Sequence, residues 1–201
     1  MTTTQPSRRA LQLLMRYGIA RTRDLEEAGV SRTALRRLCD RGELVRVARG
    51  LYRLPGSPQT ERQDLAEAAS RVPDGVICLL SALRFHGLTT QNPFEVWMAI
   101  DRKAWRPRAA HPPLRLFYLS GPSLKEGVEE HEISGVTVRV FSAAKTVADC
   151  FKFRNKIGID VAVEALREYR RTHPKHLDAI WKFAQVDRVT RVMQPYLEAG
   201  A

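Results

Sequence analysis

Ser31-Arg32-Thr33-Ala34-Leu35-Arg36-Arg37-Leu38-Cys39-Asp40-Arg41-Gly42, followed at once by Leu44-Val45-Arg46-Val47-Ala48-Arg49-Gly50-Leu51-Tyr52-Arg53-Leu54, is the stretch on which the fold turns. Serine caps helices and glycine ends them, so the first half predicts a helix from Arg32 to Arg41. Val30, Leu35 and Leu38 fall on one side of it. Arg32, Thr33, Arg36 and Arg37 fall on the other, at i, i+3, i+4 spacing. The second half reads as two β-rich runs around an Arg49-Gly50 turn, which predicts a hairpin.

Working outward, Ser7 can cap a helix over 8–17 with Leu11, Leu14 and Met15 on one face and Gly18 as its stop. Thr22 can cap a short helix through Ala28, closed by Gly29. Two helices joined by a tight Gly29-Val30-Ser31 turn form a helix-turn-helix, whose second helix is the one that reads DNA. That helix offers cations and a hydroxyl to base edges and phosphates, with no carboxylate until Asp40. A hairpin directly after it is a wing, and Arg46, Arg49 and Arg53 would carry it onto the phosphate backbone or into the minor groove. A winged helix-turn-helix is predicted.

The charge agrees. The 201 residues hold 33 Lys and Arg against 22 Asp and Glu, a net of +11, which points to a polyanionic partner. Residues 1–57 hold twelve arginines, no lysine and five acids (Asp24, Glu26, Glu27, Asp40, Glu43), a net of +7; residues 58–201 carry only +4. Arginine is the better residue for bidentate contact with phosphate or guanine. At 44% hydrophobic and 27% charged the chain predicts a folded protein. Its longest apolar runs, such as Val76-Ile77-Cys78-Leu79-Leu80, cannot cross a bilayer. With no signal-peptide pattern and three widely spaced cysteines (39, 78, 150), the expectation is a cytoplasmic chain without disulfides.

The Leu54-Pro55-Gly56-Ser57-Pro58-Gln59-Thr60 stretch reads as a linker, so the domains are expected at 1–57 and 58–201. The second has a mixed α+β pattern. Helices are expected near 61–71, 80–86, 143–154, 160–171, 177–184 and 187–197. Strands are expected near 94–100, 114–119, 129–134 and 136–141, the last two joined by a Ser134-Gly135 turn. Trp97, Trp105 and Trp181 are expected as core residues or interface anchors rather than nucleotide platforms.

Taken in succession, several segments resemble the AbiEi antitoxin family of type IV, abortive-infection toxin–antitoxin systems. They are Gly29-Val30-Ser31-Arg32, the run Leu44 to Leu54, Leu80-Ser81-Ala82-Leu83 with His86-Gly87-Leu88, and Ser142-Ala143-Ala144-Lys145-Thr146-Val147-Ala148-Asp149-Cys150. The resemblance implies a winged helix that binds inverted repeats in its own promoter and represses the operon. It also implies a C-terminal domain similar in fold to nucleotidyltransferases but inactive, which counteracts a neighbouring nucleotidyltransferase-like toxin without needing a stable complex. Carried over, the DNA contacts are Arg32, Thr33, Arg36, Arg37, Arg49 and Arg53, with no catalytic residue.

The second domain also spells fragments of other chemistry. Ser142-Ala-Ala-Lys145 spells a Ser-x-x-Lys nucleophile pair, but its companion motifs are missing and Ser142 serves as an N-cap. Asp74, Asp101 and Lys103 match the acid–acid–lysine set of Mg²⁺-dependent nucleases, although Asp74 falls in a turn. A live nucleotidyltransferase would need paired acids on a strand after a Gly-Ser turn, and Gly56-Ser57 has only Asp64 in a helical pattern. His173-Pro-Lys-His176 lacks further ligands for zinc. No metal or cofactor is predicted. A second basic cluster, Lys152, Arg154 and Lys156 with Arg167, Arg170 and Arg171, reads either as a solvated face or as a contact with the toxin or its nucleic-acid substrate. Two other functions compete with the antitoxin: a transcription factor whose C-terminal domain senses a small molecule, and a nuclease using Asp74, Asp101 and Lys103.

Overall fold

The computed structural model describes residues 8–57, 60–107 and 111–199. It divides into two compact units. The first runs to Pro73 and includes His111, Pro112 and Glu132–Val138; the second holds the rest. The first unit thus extends past the Pro- and Gly-rich stretch and takes in the helix after it.

In the first unit the order is α1 (Arg8–Tyr17), β1 (Ile19–Arg21), α2 (Thr22–Glu27), α3 (Arg32–Asp40), β2 (Val45–Ala48), β3 (Leu51–Arg53) and α4 (Glu61–Arg71). Ala10 and Leu14 of α1, Leu25 of α2, and Ala34, Leu35 and Leu38 of α3 form its core with Val30 and Leu44. This differs from the face expected on α1: Met15 is 77% exposed, because one residue is a 100° step from Leu14, whereas Ala10 lies a full turn behind it. The expected Ser7 cap lies outside the described residues.

Gly18 ends α1 with its N–H on the Leu14 carbonyl at 2.8 Å and a φ of 72°. Only glycine fits there. A Cβ would lie 1.6 Å from Gln63 Nε2, the group that donates to the Tyr17 carbonyl. Gln63 also completes a capping box with Thr60 at the start of α4.

β1 was not expected from sequence. Its three residues pair antiparallel with β3 (Ile19 with Arg53, Ala20 with Tyr52, Arg21 with Leu51), giving a sheet of order β1-β3-β2. The unit is a winged helix-turn-helix with the small sheet such folds carry.

The second unit contains β4 (Val76–Ile77), α5 (Leu79–Phe85), β5 (Val96–Asp101), β6 (Leu114–Leu119), α6 (Pro122–Lys125), β7 (Val128–Ile133), β8 (Val136–Phe141), α7 (Ala143–Lys152), α8 (Arg154–Ile157), α9 (Ile159–Thr172), α10 (Leu177–Val186) and α11 (Thr190–Glu198), the far end of the β7–β8 hairpin excepted. Its mixed sheet has the order β6-β5-β4-β8-β7, with β5 parallel to β6 and β4 parallel to β8. Buried Val76, Leu83, Trp97, Phe117, Phe141, Val147, Phe151, Leu166, Ile180 and Met193 fill the core between sheet and helices. Trp97 stacks on Phe117 with ring centroids 5.3 Å apart. The fold is α+β, as expected. β4 is the strand that the sequence pattern missed. Among the described residues, no helix is long and apolar enough to cross a membrane.

Candidate nucleic-acid interface

Ser31 caps α3: its Oγ accepts the Ala34 N–H at 3.3 Å. At the other end Gly42 takes a φ of 72°, and the Glu43 N–H returns to the Leu38 carbonyl at 2.9 Å. Between these stops Ala34, Leu35 and Leu38 are buried, so Arg32, Thr33, Arg36 and Arg37 are left exposed on the opposite face. Arg32 Nε donates to Glu26 Oε1 at 2.9 Å, an exposed pair of the kind worth about 0–1 kcal/mol. Arg36 and Arg37 make no hydrogen bond or ion pair through their side chains with another described residue.

The wing is fastened at its tip. Thr22 does not cap α2, where Arg21 holds the N-cap position; instead its N–H and Oγ1 donate to the Gly50 carbonyl at 2.8 and 3.3 Å. The cap expected of Thr22 yields to a contact 28 residues away. Gly50, with a φ of 73°, supplies the left-handed residue of the two-residue turn, which leaves Arg49 exposed at the tip. Arg46 is exposed on β2 beside a register shift between Arg46 and Ala48, and its Nε reaches the Ala48 carbonyl at 3.4 Å.

Arg53 stands apart from the other arginines. It is half-buried, its Nε is enclosed without a hydrogen-bond partner, and it lies within electrostatic reach of Glu67 on α4. Burial pushes the Glu67 carboxyl up, and the nearby Asp64 adds to this, against the opposing charges of Arg53, His111 and Arg71.

In the second unit most of the basic cluster is already engaged. Lys152 Nζ donates to Ser123 Oγ and Asp187 Oδ1, both at 2.9 Å. Arg154 donates to the Phe151 carbonyl, Arg170 to the Leu197 carbonyl, and Arg171 to Glu168. Lys156 and Arg167 remain exposed, Lys156 5.8 Å from the Phe117 and Phe153 ring centres.

Lys152 belongs to a buried network that sequence reasoning did not find. Lys145 Nζ, fully enclosed, lies 2.5 Å from Asp149 Oδ1 and 2.9 Å from Asp187 Oδ2. Burial pushes the Asp149 carboxyl up to about 8, against the pull of Lys145. Burial would lift Asp187 too, but the Lys145 charge and hydrogen bonds from Asp149, Lys145 and Lys152 hold it below the ordinary carboxylate range. The i, i+4 spacing of Lys145 and Asp149 was the available signal, and Asp187, from the start of another turn, could not have been matched to it.

The same contacts dispose of the Ser-x-x-Lys spelling. Ser142 Oγ accepts the Lys145 backbone N–H at 3.3 Å as an N-cap, while the lysine ammonium points into the carboxylates. Asp101 Oδ1 likewise accepts the Lys103 N–H at 2.8 Å and caps a turn, and Asp74 is exposed in a separate turn. No group of three or more His, Cys, Asp or Glu side chains among the described residues could hold a metal ion. Of the tryptophans, Trp97 is core, Trp181 is partly exposed and Trp105 is 95% exposed, which removes it from the core.

Comparison with known proteins bears on both units. The chain is similar in fold to the crystal structure of the RV2827C protein from Mycobacterium tuberculosis, with a TM-score of 0.51 and 14% sequence identity. That match covers 92% of this chain and 70% of that one. No curated protein matches the chain. Residues 8–55, which hold α1, the helix-turn-helix and the wing, match the model of a family described as "Transcriptional regulator, AbiEi antitoxin". Through that segment, and not beyond it, the chain is similar to this family of transcriptional regulators.

Proposed function

We propose that the protein is the autorepressing antitoxin of a type IV toxin–antitoxin system. It binds inverted repeats in its own promoter through α3 and the wing, and it counteracts a nucleotidyltransferase-like toxin through the second unit. The observation that carries the DNA-binding part is the outward row of Arg36, Arg37 and Arg49 on one capped and fastened module, with no internal partner among the described residues. A guanidinium in that state moves onto phosphate or a guanine edge without breaking a bond inside the protein. Arg32, Thr33 and Arg46 extend the same surface. Arg53 we place at its inner margin, where it joins β3 to the surroundings of Glu67.

For the toxin, the exposed Lys156 and Arg167 are the members of the second basic cluster best able to reach a partner, since the others are engaged within the unit. The test keeps the two activities apart in one full-length chain. Arg36→Ala with Arg37→Ala should weaken binding to a promoter duplex at fixed salt, by about 1–3 kcal/mol for each contact made to a base. Co-expressed with the neighbouring toxin, the same variant should still restore growth. Unchanged promoter affinity would refute the recognition-helix assignment, and absence of rescue by the unaltered chain would refute the antitoxin reading.

A further inference from the structure

The loop after β5 has a root and an outer part of opposite character. At the root, the Arg102 N–H donates to the Leu119 carbonyl at 3.0 Å, the Ala104 N–H to the Asp101 carbonyl at 2.9 Å, and the Lys103 N–H to the Asp101 carboxylate at 2.8 Å. These bonds fix the turn to the ends of β5 and β6 and occupy the only acidic side chain of the segment. Beyond them Arg102, Lys103, Trp105 and Arg106 are all exposed, with Trp105 showing 95% of its surface. Tyr118, paired with Ile100 one step before the end of β5, is 42% exposed on the adjoining strand.

A tryptophan open on this scale among three cations fits a partner that offers both negative charge and flat aromatic faces. A protein partner would be expected to meet the indole with an apolar pocket rimmed by acids. A regular duplex meets it with phosphate alone, since its base faces are closed by stacking. A strand with unpaired bases offers phosphates to the cations and an open base to the indole. In a cell whose DNA is paired, such bases are found chiefly in RNA loops and ends.

We infer that the Asp101–Pro107 loop, with Tyr118, is a second nucleic-acid surface, which binds unpaired nucleotides of RNA with Trp105 as the stacking platform. It is distinct from α3 and the wing, and it stands whether or not the operator assignment does.

The test uses the full chain and a labelled oligoadenylate of about 15 nucleotides. Trp105→Ala should lose about tenfold or more in affinity while Trp105→Phe keeps most of it, because a phenyl ring still stacks. Replacing Arg102, Lys103 and Arg106 with Ala should reduce the slope of log affinity against log salt by about 2, at roughly 0.7 per phosphate on a single strand. Arg36→Ala with Arg37→Ala should leave this binding unchanged. Trp105 is exposed, so its variants keep the fold, and matched circular dichroism spectra check it. Unchanged RNA affinity in Trp105→Ala would overturn the inference. So would equal affinity for the same strand closed into a regular duplex, or loss of toxin neutralisation in Trp105→Ala with RNA binding intact, which would make the loop a protein contact.

Discussion

Replacing Lys145 with Met tests the reading of the buried network most severely. Methionine keeps an unbranched stem of similar volume, so packing around Gly127 and Phe183 changes little, and the ammonium alone is removed. In the folded chain that ammonium donates to Asp149 at 2.5 Å and to Asp187 at 2.9 Å, and both carboxylates are enclosed. Each hydrogen bond to a charged partner is worth about 1.5–3 kcal/mol, and breaking a buried pair from one side costs about 3–5 kcal/mol. Asp187 retains Lys152 and Ser123, which limits the damage, and Asp149, whose carboxyl already titrates at about 8, can take a proton. A loss at the lower end of that range, about 3 kcal/mol near neutral pH, follows, read by urea unfolding followed in the near-ultraviolet circular dichroism of the second unit. Lys152→Met, at a site still open to water, should cost less. A loss below about 1 kcal/mol for Lys145→Met, or an equal one for Lys152→Met, would refute the claim that Lys145 is the cation holding the network together.

Asp149→Asn should flatten the pH dependence of stability. The folded carboxyl is pushed up to about 8 against 3.8 ordinarily, so its contribution is full below the lower value and is lost as pH rises towards the upper one; urea midpoints across that window should fall less steeply in the variant than in the parent. Asp187, held low, works in the opposite sense, and its contribution is lost only at the acid end. Ser31→Ala removes the cap of α3 and should cost about 1 kcal/mol by thermal unfolding, with weaker promoter binding because the frayed turn carries Arg32 and Thr33; Ser31→Thr, which caps without adding charge, should restore both.

What could be read from sequence was what is decided locally. Ser31 and Ser142 each accept the N–H three residues on, and α3 and α7 begin where those caps predict. The outward arginines of α3 followed from its period. β1 and β4 escaped because three and two residues carry no alternation, and they are strands only through partners far along the chain, β3 and β5. Thr22 looked like a cap for the same local reason as Ser31, but the carbonyl of Gly50 competes for its hydroxyl, and no local rule anticipates that bond.

The basic residues show why net charge alone could not separate the two clusters. On sequence, residues 152–171 carry the same net +3 as the wing at 44–54. The difference lies in where each donor goes. Lys152 is spent on Asp187, 35 positions away, Arg170 on a carbonyl of α11, and Arg171 on its own helix. Moving any of these onto a phosphate requires breaking a contact inside the unit, and for Lys152 it would leave Asp187 with Lys145 as its remaining cation. Arg36, Arg37 and Arg49 have no such obligation to another described residue. Affinity for a polyanion is set by the gain over the contacts given up, so equal numbers of cations on the two units need not make equal partners for DNA.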